Sequence, residues 1–120
     1  MNEQVISRFV AELCEAYPGA QVLRDGGVVC VKPGVRDFPD GCKPASTEVL
    51  VRLQASEQAP RVFVRNKPTT PGGVIPRNVN PEIVAGESWF GFSFSLVWDP
   101  ERNTAEQFLE GALRRFAKNE

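Results

Sequence analysis

The sequence predicts an α+β domain: a helix at each end, with about four antiparallel strands between them, packed in layers around one core. Three patterns carry this prediction. Apolar residues recur every three to four positions near the start and again near the end, and they alternate one by one through residues 47–54. The first two patterns wind an apolar stripe onto a helix, and the third puts alternate side chains on one face of a strand.

The chain has 120 residues, 42% of them apolar and 24% charged, which suits a single domain over residues 1–120. Fourteen basic against fifteen acidic residues leave a net charge of −1, with no general attraction to nucleic-acid phosphates or an anionic membrane surface. No apolar run reaches the roughly 20 residues of a membrane-spanning helix. Asn2 and Glu3 stand where a secretory signal would be basic, so a cytoplasmic protein is expected. Cys14, Cys30 and Cys42 are odd in number and form no Cys-x-x-Cys pair, which predicts reduced thiols rather than a disulfide framework or a zinc ribbon. The sequence contains no histidine, which removes the Ser-His and Cys-His nucleophile pairs and the commonest zinc ligand. No cofactor or metal is expected.

Over residues 2–17 the helical stripe is Val5, Ile6, Phe9, Val10, Leu13, Cys14 and Tyr17, with Glu12 and Glu15 on the wet face. Asn2 caps its start and Pro18-Gly19 ends it. Cys14 lies on the stripe as a packing thiol. Two short β-prone runs follow, residues 21–24 and 28–31, and Asp25-Gly26-Gly27 between them predicts a hairpin. Cys30 packs within the second run. Residues 32–44 turn rich in Pro, Gly, Asp and Lys around Phe38, as in a surface loop anchored by one aromatic. Cys42 belongs to that loop and is the cysteine expected to meet solvent, with Lys43 beside it to favour a thiolate.

In residues 47–54, Thr47, Val49, Val51 and Leu53 share the core face, and Glu48, Leu50, Arg52 and Gln54 the other. Residues 60–65 form the next strand, an antiparallel neighbour across a short connector. From Pro60 to Pro100 the chain then concentrates six of its ten prolines, both tryptophans and four of its eight phenylalanines. Residues 66–86 show neither period; Pro68, Pro71, Pro76 and Pro81 remove backbone donors, and ordered coil wrapping the sheet is expected. Pro68-Thr69-Thr70-Pro71 has the P-x-x-P spacing read by polyproline-binding domains, without a basic or proline-rich flank. Residues 87–98 place Phe90, Phe92, Phe94, Leu96 and Trp98 on one parity and Trp89, Gly91, Ser93, Ser95 and Val97 on the other. That is a strand with an aromatic buried face and a small-residue face, or extended coil under the last helix. Asn103, with Glu106 three residues on, reads as a capping box. The final stripe is Ala105, Phe108, Leu109, Ala112, Leu113 and Phe116, and Arg114, Arg115 and Lys118 suit the negative helix end.

This order of elements resembles the ubiquitin-conjugating (E2, UBC-like) fold, particularly divergent bacterial E2-like proteins. Residues 59–64, Ala-Pro-Arg-Val-Phe-Val, stand where that family ends a strand at a Tyr-Pro-x-x-Pro-Pro region. Pro76-Arg77-Asn78-Val79-Asn80-Pro81 looks like its His-Pro-Asn segment without the histidine, and Trp98-Asp99-Pro100 matches the Trp-x-Pro step into a helix. Where the family carries its thioester cysteine this chain has Ala85-Gly86-Glu87-Ser88-Trp89, and no cysteine follows Cys42. Ser88 is the nearest small nucleophile there, but an alkoxide leaves far less readily than a thiolate, so it makes no thioester relay.

The resemblance thus implies a catalytically inactive, E2-like domain that binds a protein: a ubiquitin-like modifier, an E1-like activating enzyme or an E2-like enzyme, in a conjugation or defence pathway. Asn78 and Asn80 would stand near the family's oxyanion position, and together with Glu87, Trp89 and Trp98 they are the expected binding residues. Two other readings stay open. Cys42 would act as a nucleophile, or Glu82 and Glu87 as an acid-base pair, in an enzyme. Alternatively the chain is a small acidic chaperone or immunity-type protein whose aromatic strand forms a dimer or partner surface; a monomer with a fully buried Trp89 would count against the dimer version.

Overall fold

A computed structural model describes residues 1–96 and 98–117; Lys118 and Val97 of the motifs above lie outside the described residues. Helix α1 (Glu3–Ala16) starts where the Asn2 side chain accepts a bond from the Val5 amide, and ends at Tyr17, whose amide bonds the Leu13 carbonyl. Six strands follow: β1 (Gln21–Asp25), β2 (Val28–Asp37), β3 (Ser46–Gln54), β4 (Arg61–Val64), β5 (Val79–Val84) and β6 (Glu87–Phe92). Helix α2 (Ala105–Leu113) and a short 3-10 turn (Arg114–Ala117) close the described chain.

The strands form one sheet in the order β1-β2-β3-β4-β6-β5, antiparallel throughout. Both helices cover one face. Ile6, Phe9, Val10 and Leu13 of α1 and Phe108, Leu109, Ala112 and Leu113 of α2 pack on Val31, Val49, Val51, Leu53, Val62 and Val64. Phe9, Trp98, Phe108 and Phe94 meet edge to face, with centroids 5.5–5.9 Å apart. Among the described residues no helix is long and apolar enough to cross a membrane.

The α+β class and both helical stripes stand as expected, and four details are corrected. The sheet has six strands rather than about four. β2 runs on through Pro33 to Asp37, because Gly34, at φ 100, absorbs a bulge between Val31 and Gly34. Residues 79–84, expected as coil, form β5; Pro81 is tolerated because β5 is the edge strand, whose outward amides have no partner to lose. The cap of α2 is Thr104, in a reciprocal box with Gln107. Asn103 instead accepts the Asp99 amide in the preceding turn. Residues 93–96 leave the sheet and pass under α2.

Candidate functional site

The second face of the sheet is also closed, and its cover is what sets this protein apart from a plain two-layer fold. Strand parity sends Cys30 and Lys32 of β2, Leu50 and Arg52 of β3, and Arg61 and Phe63 of β4 away from the helices. The registers set Arg52 opposite both Cys30 and Arg61, Leu50 opposite Phe63, and Phe63 opposite Gly91. β6 pairs with β4 through only Phe63↔Gly91 and Val64↔Phe90. Beyond that point the β5–β6 hairpin leans back across the sheet, bringing Trp89 and Val84 onto Cys30, Leu50 and Phe63 as a second apolar cluster. Trp89 is 1% exposed.

Cations roof this cluster. The Arg65 guanidinium lies 4.0 Å from the Trp89 ring centroid and the Lys32 ammonium 5.9 Å, while Arg52 and Arg61 lie 5.2 and 5.0 Å from Phe63. Each cation is paired in turn. Lys32 and Arg65 share Glu87, Arg52 bonds Glu57 at 3.3 Å, and Arg52 and Arg61 flank Glu82 at 3.7 and 3.4 Å. The hydrogen bonds from Lys32 and then Arg65 hold the Glu87 carboxyl below the usual carboxylate range. Gly91 makes the arrangement possible: a Cβ there would stand 2.9 Å from Glu82 Oε2, 3.1 Å from Arg61 Nη2 and 3.2 Å from the Phe63 ring.

Beside the roof lies an open groove of about 540 Å³ between the β1–β2 hairpin and the tip of the β5–β6 hairpin. Its floor is Val28, Cys30 and Val84, its apolar walls are Leu23 and Ile83, and Arg24, Asp25 and Arg52 give it charges of both signs. Ile83 is 71% exposed and Leu23 41%. Ala85 and Gly86 turn the hairpin with φ of 51 and 78, so an alanine holds a left-handed conformation at the groove wall. All five residues of β1 are exposed. The two-residue turn at Gly26-Gly27 makes Asp25 and Val28 a bonded pair, so the backbone groups of Val22 and Arg24 point outward, unpaired.

The expected site residues disperse over this frame. Glu87 and Trp89 come together under the cation roof, but Trp89 is an internal residue and not a presented one, contrary to the small-residue face expected for it. Asn80 is exposed on the edge strand opposite Gly91, and Asn78, at φ 58, lies at a separate cleft beneath α2. Trp98 is packing between Phe9 and Phe108. Ser88 is exposed on β6 opposite Ile83, and its carbonyl accepts from Arg65.

Cys42 corrects the reading of an exposed thiol. It is buried at 5%, its Sγ donates to the Phe116 carbonyl at 3.3 Å, and burial pushes its thiol pKa up. Phe38 and the terminal 3-10 turn fold over it, which a loop composition does not reveal. Burial likewise raises the Cys30 thiol. A buried, protonated thiol is no nucleophile. The P-x-x-P segment is also engaged, with Thr69 bridged to Lys43 and Thr70 buried.

Sequence reasoning missed the roof, although its signal was present. On their outward parity the strands read Glu48-Leu50-Arg52 and Arg61-Phe63-Arg65, a large apolar residue between charges, where a solvated face would be polar throughout. No protein-family model, curated protein or solved structure matches this chain.

Proposed function

We propose that this chain is a non-catalytic protein-binding domain that takes an extended segment of its partner along β1, in the manner of an E2-like protein without thioester chemistry. The observation that carries this reading is an unpaired edge strand bordering a half-apolar groove. A partner strand paired with Val22 and Arg24 sends alternate side chains toward Leu23, Val28 and Ile83; main-chain bonds supply affinity and the groove supplies selection. The left-handed Ala85 supports the same place, since backbone strain of about 1 kcal/mol persists where the surrounding structure dictates it. The resemblance of the chain to ubiquitin-conjugating proteins names the partner class: a ubiquitin-like modifier, an E1-like activating enzyme or an E2-like enzyme, in a cytoplasmic conjugation or defence pathway.

The test is affinity capture from the native cells with two baits, the wild-type chain and the Leu23→Lys/Ile83→Glu variant, followed by mass spectrometry under non-reducing conditions. The expected result is a non-covalent ubiquitin-like, E1-like or E2-like protein on the wild-type bait, depleted at least about tenfold on the variant, a difference of roughly 1.4 kcal/mol. Equal recovery on both baits, or none, overturns the groove as the binding surface. A groove-dependent partner of another class overturns the conjugation pathway, and a covalent adduct through Cys42 overturns the non-catalytic reading.

A further inference from the structure

The cleft beneath α2 is built differently from the groove. It measures about 470 Å³, within the range of small-molecule sites, and no carboxylate is among the described residues that line it. Arg114, Arg115, Ser93, Ser95 and Asn78 face it. Arg115 is fixed in place: Nε donates to the Ser93 carbonyl at 3.1 Å and Nη2 to the Arg77 carbonyl at 2.6 Å. Among the described residues its Nη1 is buried without an acceptor. Among the described residues neither Arg114 nor Arg115 is in an ion pair, in contrast to the matched charges over the sheet. The side chains of Ser93, Ser95 and Asn78 make no hydrogen bond within the described protein, so they stand ready as donors.

The sign of the potential follows from magnitudes. The C-terminal end of α2 contributes about half a negative charge, against two full guanidinium charges. The described lining of the cleft is therefore positive. Phe94 and Leu96 add an apolar wall, and Leu96 seats itself on Gly111, where a Cβ would come within 3.0 Å of its Cδ1. A guanidinium matches the paired oxygens of a phosphoryl group, hydroxyls serve the remaining oxygen, and the apolar wall takes whatever the phosphate is attached to. We infer that this cleft binds a small phosphomonoester with an apolar or aromatic body, held by Arg114 and Arg115 with Ser93 and Ser95.

Phenyl phosphate, inorganic phosphate and phenol are the probes, titrated into the 15N-labelled full chain at low salt while backbone amide shifts are followed. Phenyl phosphate is expected to move the amides of Ser93, Ser95, Arg114 and Arg115 with saturation, and to bind about tenfold more tightly than inorganic phosphate; phenol moves none of them. Arg114→Gln, at an exposed position, weakens phenyl phosphate about tenfold, whereas Lys67→Gln, an exposed cation outside the cleft, leaves it unchanged. Absence of saturable shifts at these amides overturns the proposal. Equal binding of phenyl phosphate and inorganic phosphate, or equal losses in Arg114→Gln and Lys67→Gln, reduces it to general charge attraction and overturns it as well. None of these readouts involves the β1 groove, so failure here leaves the protein-binding proposal standing, and the reverse.

Discussion

At the scale of single residues, burial and pairing decide which side chains can react or titrate. Glu87 is held in its charged form by Lys32 and Arg65, so its folded pKa lies below the ordinary value of 4.5. A depressed carboxyl pKa contributes stability that is present above the unfolded pKa and lost as pH falls through the folded one. Glu87→Gln is therefore expected to lower the denaturant midpoint at neutral pH, with the gap to wild type closing below pH 4.5 as both proteins lose the interaction. Urea titrations at the two pH values check this; a gap that does not shrink in acid would rule out the ionic origin. The cysteines give a second residue-level expectation. Cys14 is only partly buried whereas Cys30 and Cys42 are buried, so a thiol reagent should modify Cys14 first and the other two at the rate of unfolding. Peptide mapping of partially labelled protein reads the order directly, and early modification of Cys42 would contradict its bond to Phe116.

At the scale of elements, the β5–β6 hairpin carries the most information. Its turn places Ala85 at φ 51, a conformation that asparagine adopts more readily than alanine, so Ala85→Asn should stabilise the fold by about 0.5 to 1 kcal/mol. An unchanged or lowered thermal midpoint would mean that the turn is not held as described. Removing the ring it positions acts in the opposite sense: Trp89→Ala empties the second cluster and should cost about 3 to 5 kcal/mol. This hairpin was also the least legible part of the sequence. Pro81 argues against a strand unless the strand lies at a sheet edge, and edge position is a tertiary fact absent from local pattern. The helices and the first hairpin were readable because each has a single buried face or a turn chemistry of its own. The cap of α2 was misplaced by one residue because Asn103 and Thr104 are both capping types, and only the turn at Asp99 shows which is free. Of the candidate site, Glu87 and Trp89 were singled out from the sequence, but the cations that join them, Lys32 and Arg65, come from β2 and from just past the end of β4, and no local window contains all of them.

At the scale of the whole molecule, one sheet is sealed on both faces by different means, helices on one side and a folded-over hairpin with its ion pairs on the other. Amide exchange should report this asymmetry: β3, with neighbours on both edges and cover on both faces, exchanges only through global unfolding, while β1, exposed along its length, exchanges through local opening. Comparable protection in β1 and β3 would contradict the open edge. The two-sided cover also changes what keeps the strands aligned. Val49, Leu50 and Val51 are all fully buried, so hydrophobicity alone scarcely distinguishes the native alignment of β3 on β4 from one slipped by a single position. The charges make that distinction. A slip would turn Glu48 and Arg52 beneath the helices, with no partner there to meet them, and so the ion pairs over Phe63 and Trp89, each weak as a source of stability, act together as the key that admits one threading of the sheet and refuses its neighbours.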